Sequence, residues 1–365
     1  MNLDIKGQLS DRPRIRAGFI GCGSHAFRNL YPTFQFAPVE LVATCDLNVE
    51  RAKLFARQFG ALNSYGDYRE MLEKETLDAV FIVTNYDEFG RPNYCRIAKE
   101  CLQAGKHVWT EKPPAATTKE IEDLAAVAGD RNVMVGFKKM FFTANEKAHE
   151  LINSEAFGHV TMATLQYPQH IPTVEEFATY ASGKRVEQVL GFLDHLCHPV
   201  SLLLYLMGMP AKLYYERTGS AAGAATFTYA DGRVATTALL GGAALNGGME
   251  RTTLLSSRGG QVVVDNNLTV TYHRDAPGRS YGGVTSSYLG EPSQTSAVWQ
   301  PEFSLGQLYN KGLFLLGYFG EVNEFANSIL EKRRPTKCHL EHAWQVTRIF
   351  EAFAEGPGKV IKLSR

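Results

Sequence analysis

Short apolar runs alternate with amphipathic stretches through the first third of the chain. Ile15–Ile20 predicts a strand, and a helix follows from about Ser24 to Phe36. Val39–Cys45 predicts a second strand, after which Asn48 is placed to cap a helix running to Phe59. Asp67 caps a shorter helix ending near Lys74. Ala79–Val83 is wholly apolar and predicts a buried strand. A helix then covers about Arg91–Ala104, with Pro92 in its first turn and Gly105 where a helix-ending glycine belongs. His107–Thr110, a helix over Thr117–Ala128, and Val133–Gly136 complete the series. Strand–helix alternation at this spacing predicts βαβ units and a parallel sheet covered on both faces.

The pattern changes after Gly136. Thr143–Asn153 and Phe192–Met207 predict helices. Strand-like runs fall at Val160–Tyr167, Lys212–Thr218, Ala224–Tyr229, Arg233–Leu240, Arg251–Ser256, Gln261–Asp265 and Leu268–Arg274. Asp231-Gly232 is a strong hairpin signal, and Asn266-Asn267 a weaker one. Consecutive turn-linked strands predict a mostly antiparallel sheet. Asp275–Leu305, rich in Gly, Ser, Tyr and Pro, reads as a long loop, and helices return at about Phe314–Glu331 and Leu340–Ala354. The expected fold is α/β: a dinucleotide-binding domain over 1–136, then an α+β domain over 137–365 with a mostly antiparallel open sheet.

Composition narrows the partners. The chain has 365 residues, enough for two or three domains at about 150 residues each. Lys+Arg and Asp+Glu both number 38, so no bulk field draws the protein to nucleic acid or anionic lipid. No stretch approaches the roughly 18 apolar residues of a membrane span, and Met1–Arg16 lacks the apolar core of a secretory signal. None of the six cysteines forms a C-x-x-C pair, so reduced thiols in a cytoplasmic protein are expected.

Gly21-Cys22-Gly23-Ser24-His25-Ala26 fits G-x-G-x-x-G/A between a predicted strand and helix. Gly21 permits the tight turn, Gly23 lets the backbone approach a pyrophosphate, and Ala26 allows close packing. The amides opening the helix then face the phosphates. Asp46 ends the second strand, about 23 residues after Gly23 and near the roughly 20 expected for a ribose-binding acid. A carboxylate there accepts bonds from ribose hydroxyls and repels a 2′-phosphate, which favours NAD. Arg51, close by, leaves NADP open.

Lys112, in Glu111-Lys112-Pro113, lies beyond the carboxyl end of a strand, where open α/β sheets hold ligands. Asp194 and His198 are i,i+4 neighbours on a helix, although Pro199 softens that spacing. An imidazole held by a carboxylate suits proton transfer from an alcohol. A helix-start Asp satisfied by a core His is the structural alternative. Asp194, His195, Cys197 and His198 are all metal-ligand types, but His195 and Cys197 point to other faces, so no metal is expected. His170 follows a strand bordering the pocket and is a candidate substrate contact. Tyr318 and Glu321 are weaker candidates, better read as helix packing or solvated groups.

Together these pieces resemble the Gfo/Idh/MocA family of sugar and inositol oxidoreductases over nearly the whole chain. Gly18–Gly23 resembles the family's first strand and glycine loop. Ala104-Gly105-Lys106-His107-Val108 leading to Glu111-Lys112-Pro113 resembles its A-G-K-H-V…E-K-P signature. Gly136-Phe137-Lys138 and Asp194–His198 are similar to later family segments. The resemblance implies Lys112, Asp194 and His198 around the substrate carbinol. It implies cofactor contacts from Gly21, Gly23, Ser24, His25, Ala26, Asp46, Arg51, Thr84, Glu111 and Lys112, and substrate contacts from Lys138 and His170. The chain departs from the family's T-P-x-x-x-H loop, with Asn85 and Phe89 in place of the proline and histidine. The activity implied is NAD-dependent oxidation of a secondary hydroxyl on a sugar, glycoside or cyclitol, or its reverse, by a homodimer or homotetramer. A closed redox cycle with retained NAD, and a non-catalytic NAD- and sugar-binding regulator, remain as alternatives.

Overall fold

The computed structural model describes residues 12–243, 250–274, 296–300 and 311–365. Most of the predicted loop Asp275–Leu305 lies outside the described residues. Its residues 297–299 form a short edge strand.

Six strands build the first sheet: β1 (Ile15–Ile20), β2 (Val39–Cys45), β3 (Asn63–Tyr65), β4 (Ala79–Ile82), β5 (His107–Thr110) and β6 (Val133–Val135). Their order is β3-β2-β1-β4-β5-β6, and every pair is parallel. The order reverses between β1 and β4, which opens a crevice at the carboxyl ends of both. The three-residue β3 escaped the sequence pattern because it is too short to show a period.

The helices begin where their caps dictate. Asn48 accepts from the Arg51 amide, Asp67 from the Arg69 amide, and Thr117 forms a reciprocal capping box with Glu120. Two predicted helices are corrected. Ser24–Phe36 is not a regular α-helix: a π turn over Ala26–Leu30 passes into a 3-10 turn over Tyr31–Gln35. Pro32 cannot donate back to the Arg28 carbonyl, and the Tyr31 amide reaches five residues back to Ala26. The helix expected over Arg91–Ala104 starts at Tyr94, because Pro92 is drawn into a bridge with Tyr86.

Among the described residues the second sheet has nine strands: β7 (Val160–Tyr167), β8 (Lys212–Arg217), β9 (Gly223–Thr228), β10 (Val234–Leu239), β11 (Arg251–Ser256), β12 (Gln261–Asp265), β13 (Thr269–His273), β14 (Ala297–Trp299) and β15 (Ile361–Lys362). All neighbours are antiparallel except β7 and β10. Asn266 and Asn267 both take positive φ, at 49° and 57°, as the two central positions of the turn from Asp265 to Leu268. Strand register aligns Tyr214, Thr226, Thr236, Thr164, Thr253, Val263, Thr271 and Val298 in one row across eight strands.

One helix, Val174–Ala181, was not predicted, and the Phe192–Met207 helix begins earlier, at Glu187. Glu187–Met207 is long and apolar enough to cross a membrane by length and composition, which corrects the sequence expectation. Within the fold, 78% of its apolar window is buried. Its Leu and Val side chains pack between the second sheet and the Leu340–Ala354 helix. The helices Tyr318–Leu330 and Leu340–Ala354 also cover the first sheet. Phe325 meets Phe81 edge to face, and Glu351 accepts from the Thr118 amide at 2.8 Å. The two sheets are thus locked through shared helices.

Candidate active site

Gly21 takes φ +106°, and a Cβ there would lie 1.8 Å from the Val83 carbonyl oxygen. Only glycine fits this turn. Gly23 faces open space, so backbone and not side chain lines the approach. Ser24 is exposed, Ala26 is buried, and the first amides of the turn have no helical partner. The Cys22 amide donates to Asp46 Oδ2 at 2.8 Å. Asp46 Oδ1 accepts from the Asn48 amide at 2.9 Å and from Arg51 at 2.7 Å. Burial opposes the charge on Asp46, but Arg51 and these two amides outweigh it and hold the carboxyl below its usual range. Arg51 therefore reaches the cleft already paired with Asp46.

A cleft of about 590 Å³ opens beside the loop, lined by Gly21, Gly23, Asp46, Arg51, Thr84 and Tyr86 among others. Thr84 Oγ1 is buried there without a partner among the described residues. A glycine cradle, an ionised acid at the end of β2 and an orphan hydroxyl fit the phosphates, ribose and polar edge of a dinucleotide.

Glu111 and Lys112 follow β5 beside this cleft. Glu111 is buried. It accepts from the Lys112 amide at 2.9 Å and bonds His25 Nε2 at 2.9 Å. Its charge survives burial because His25 and Lys112 lower its pKa more than desolvation raises it. Lys112 Nζ donates to Asp194 Oδ1 at 2.7 Å, and Tyr86 Oη donates to the same oxygen at 2.9 Å. Burial works against the ammonium, but Asp194 and Glu111 keep Lys112 above its ordinary range and fully charged.

The expected Asp194–His198 pair does not close. No hydrogen bond or ion pair joins them among the described residues, and the nearer imidazole is His195, 3.7 Å from Asp194 Oδ2. A charged ammonium outcompetes a neutral ring for a carboxylate. Burial, aided by the Lys112, Lys139 and Lys138 ammoniums, pushes His198 well below its ordinary pKa, so its ring is neutral. His195 Nδ1 lies 3.5 Å from Tyr167 Oη. Pro199 leaves the His195 carbonyl without its helical donor.

Lys138 is half-buried and donates to Tyr318 Oη at 2.6 Å. Its neighbour Lys139 is buried and paired with Glu250. His170 sits elsewhere: it is exposed, against Gly241 at the end of β10, and bonds none of these groups. Sequence reasoning missed Tyr86 and Tyr167. Tyr86 was legible from its position just beyond β4, at the crevice edge. Glu321, expected as a packing or solvated residue, is fully buried with both oxygens unpartnered among the described residues. No local pattern marks such a position.

Residues 15–138 match a model described as an oxidoreductase family with an NAD-binding Rossmann fold, and residues 145–260 match the GFO/IDH/MocA C-terminal domain. The chain belongs to the GFO/IDH/MocA family. Its first sheet is the family's NAD(P)-binding Rossmann fold. The trans-1,2-dihydrobenzene-1,2-diol dehydrogenase of Xenopus tropicalis is 27% identical over 191 residues, 49% of this chain and 54% of that protein. The D-xylose 1-dehydrogenase (NADP(+)) 2 of Haloferax volcanii is 26% identical over 208 residues, 55% of this chain and 60% of that one. The chain spans about half the length of the curated relatives it matches. A dehydrogenase structure from Chromobacterium violaceum shares the fold, with TM-score 0.78 and 22% identity over 95% of this chain and 96% of that one.

Proposed function

We propose that the protein is an NAD-dependent dehydrogenase that oxidises a secondary ring hydroxyl of a sugar, glycoside or cyclitol, or catalyses the reverse. The observation that carries this reading is the Lys112–Asp194–Tyr86 cluster beside a neutral His198, at the edge of the dinucleotide cleft. Hydride acceptance is the chemistry the nicotinamide supplies when bound. The Lys112 ammonium donates to the carbinol oxygen and stabilises the charge that develops there. His198, neutral, accepts the hydroxyl proton. Asp194, held by Tyr86, keeps Lys112 charged and aimed. Asp46 supports NAD over NADP through its charge at the ribose position. Relatives named for a dihydrodiol and for xylose support a vicinal polyol as substrate.

We further infer a homodimer or homotetramer in the cytoplasm. The part-exposed threonine row of the second sheet, ending in Tyr214 at 39% and Val298 at 55% exposure, supports an oligomer contact. Six free cysteines support a reducing compartment.

The deciding experiment is mass spectrometry of reactions with NAD and a panel of sugars, glycosides and inositols. A product lighter by a pair of hydrogens, with turnover cut about a thousandfold in Lys112→Ala, is the expected result. Full turnover in both Lys112→Ala and His198→Ala overturns the assignment. No mass change with any compound moves the protein to the closed-cycle or regulator readings.

A further inference from the structure

Three lysines converge on the reaction cluster, and among the described residues only two are paired with a carboxylate. Lys112 is paired with Asp194, and Lys139 with Glu250. Lys138 instead donates to the neutral Tyr318 hydroxyl. It lies 4.6 Å from the centre of that ring and 5.9 Å from that of Phe142. Three acids act on it through space. Glu111 is taken by His25 and the Lys112 amide, and Glu250 by Lys139 and Asn267. Glu321 is fully buried with neither oxygen bonded among the described residues, and burial together with Glu111 pushes its carboxyl well above its usual range. No hydrogen bond or ion pair joins it to Lys138 among the described residues.

A half-buried ammonium without a bonded counter-ion is costly, and an anion arriving from solvent relieves the cost. Lys138 is within electrostatic reach of Lys112, His195 and His198, so an anion bound to it shares the site with the reaction cluster. Tyr318 fixes the ammonium from a helix of the second region, and the ring of Tyr318 in turn meets His25 of the glycine loop. The anchor is therefore tied to the cofactor side of the site.

We propose that Lys138, held by Tyr318, anchors an anionic group on the substrate, so that the preferred substrate is a sugar bearing a carboxylate or a phosphate. This rests on the dehydrogenase reading above and names its substrate class. The test compares kcat/KM with NAD for methyl glucoside, methyl glucuronide and glucose 6-phosphate, and for their galactose counterparts. Wild type, Lys138→Gln, Lys138→Arg and Tyr318→Phe are assayed at low and high salt. The expected preference for an anionic sugar is roughly ten- to a hundredfold, the reach of one charge-assisted hydrogen bond. It collapses towards unity in Lys138→Gln, returns in part in Lys138→Arg, weakens in Tyr318→Phe and shrinks with salt. The uronide and phosphate arms distinguish the two anions. Equal rates for neutral and anionic sugars in wild type overturn the proposal and leave the dehydrogenase standing, as does a preference unchanged in Lys138→Gln. No oxidation of any sugar in the wider panel overturns both.

Discussion

The dinucleotide cleft and the reaction cluster share one sheet edge but are assembled in opposite ways. Every group lining the cleft lies between Ile20 and Ile97, within the first four strands and their connections. Its decisive features are backbone features: a turn only glycine fits, free amides, and an acid tied to the loop by the Cys22 amide. The cluster draws Tyr86, Lys112, Lys138, Asp194 and Tyr318 from widely separated parts of the chain. Lys112 and Asp194 alone are 82 positions apart. A site made of backbone geometry is specified locally, whereas a site made of opposed charges exists only once both sheets have packed on their shared helices.

That contrast can be broken at its strongest point. Gly21→Ala forces a Cβ onto the Val83 carbonyl at a positive φ and should cost about 3 kcal/mol or more. Thermal melts should show a lower Tm, with the stabilisation by added NAD gone. Retained NAD stabilisation would show that the loop does not cradle the cofactor.

A milder change separates the two sites. Asp46→Ala removes the acid that the Cys22 amide, Asn48 amide and Arg51 hold, and frees Arg51. We expect KM for NAD to rise about tenfold and the preference over NADP to narrow, with kcat changed far less. Steady-state kinetics with both dinucleotides checks this. An equal fall in kcat would mean that Asp46 acts on the cluster as well.

The smallest effect concerns pH. His198 has a folded pKa well below 6.5, its unfolded reference, so the unfolded chain binds the extra proton as pH falls below 6.5. Stability should therefore fall with pH there, and less steeply in His198→Gln. In kcat/KM, the acid limb should lie below 6.5, because the ring is already neutral above it. An acid limb above 6.5 would assign that proton to another group.

Much of this was legible beforehand, for physical reasons that differ by residue. The glycine loop, Asp46 and the Asn48 and Asp67 caps are short-range devices, and local spacing suffices to read them. The pitch of the glycine-loop helix was misread because Pro32 acts through a missing hydrogen bond that periodicity does not register. The Asp194–His198 spacing was correct as helix geometry but incomplete as chemistry. It could not show that Lys112 would claim the carboxylate first, or that burial, with three nearby ammoniums, would keep His198 neutral. Glu321 illustrates the limit most clearly: its full burial depends on a helix of the second region lying across the first sheet.

By itself the sequence determined the parallel sheet, the glycine turn, the capped helices and the family, because each follows from periodicity, steric permission or a contiguous motif. Tertiary structure alone decided the pairing of Lys112 with Asp194 and Tyr86, the closure of Glu111 on His25, and that Lys138, alone of the cluster's three lysines, has no carboxylate bonded to it among the described residues. Electrostatic partners in a low-dielectric interior are chosen by distance in space, and that distance is settled only when the two sheets meet.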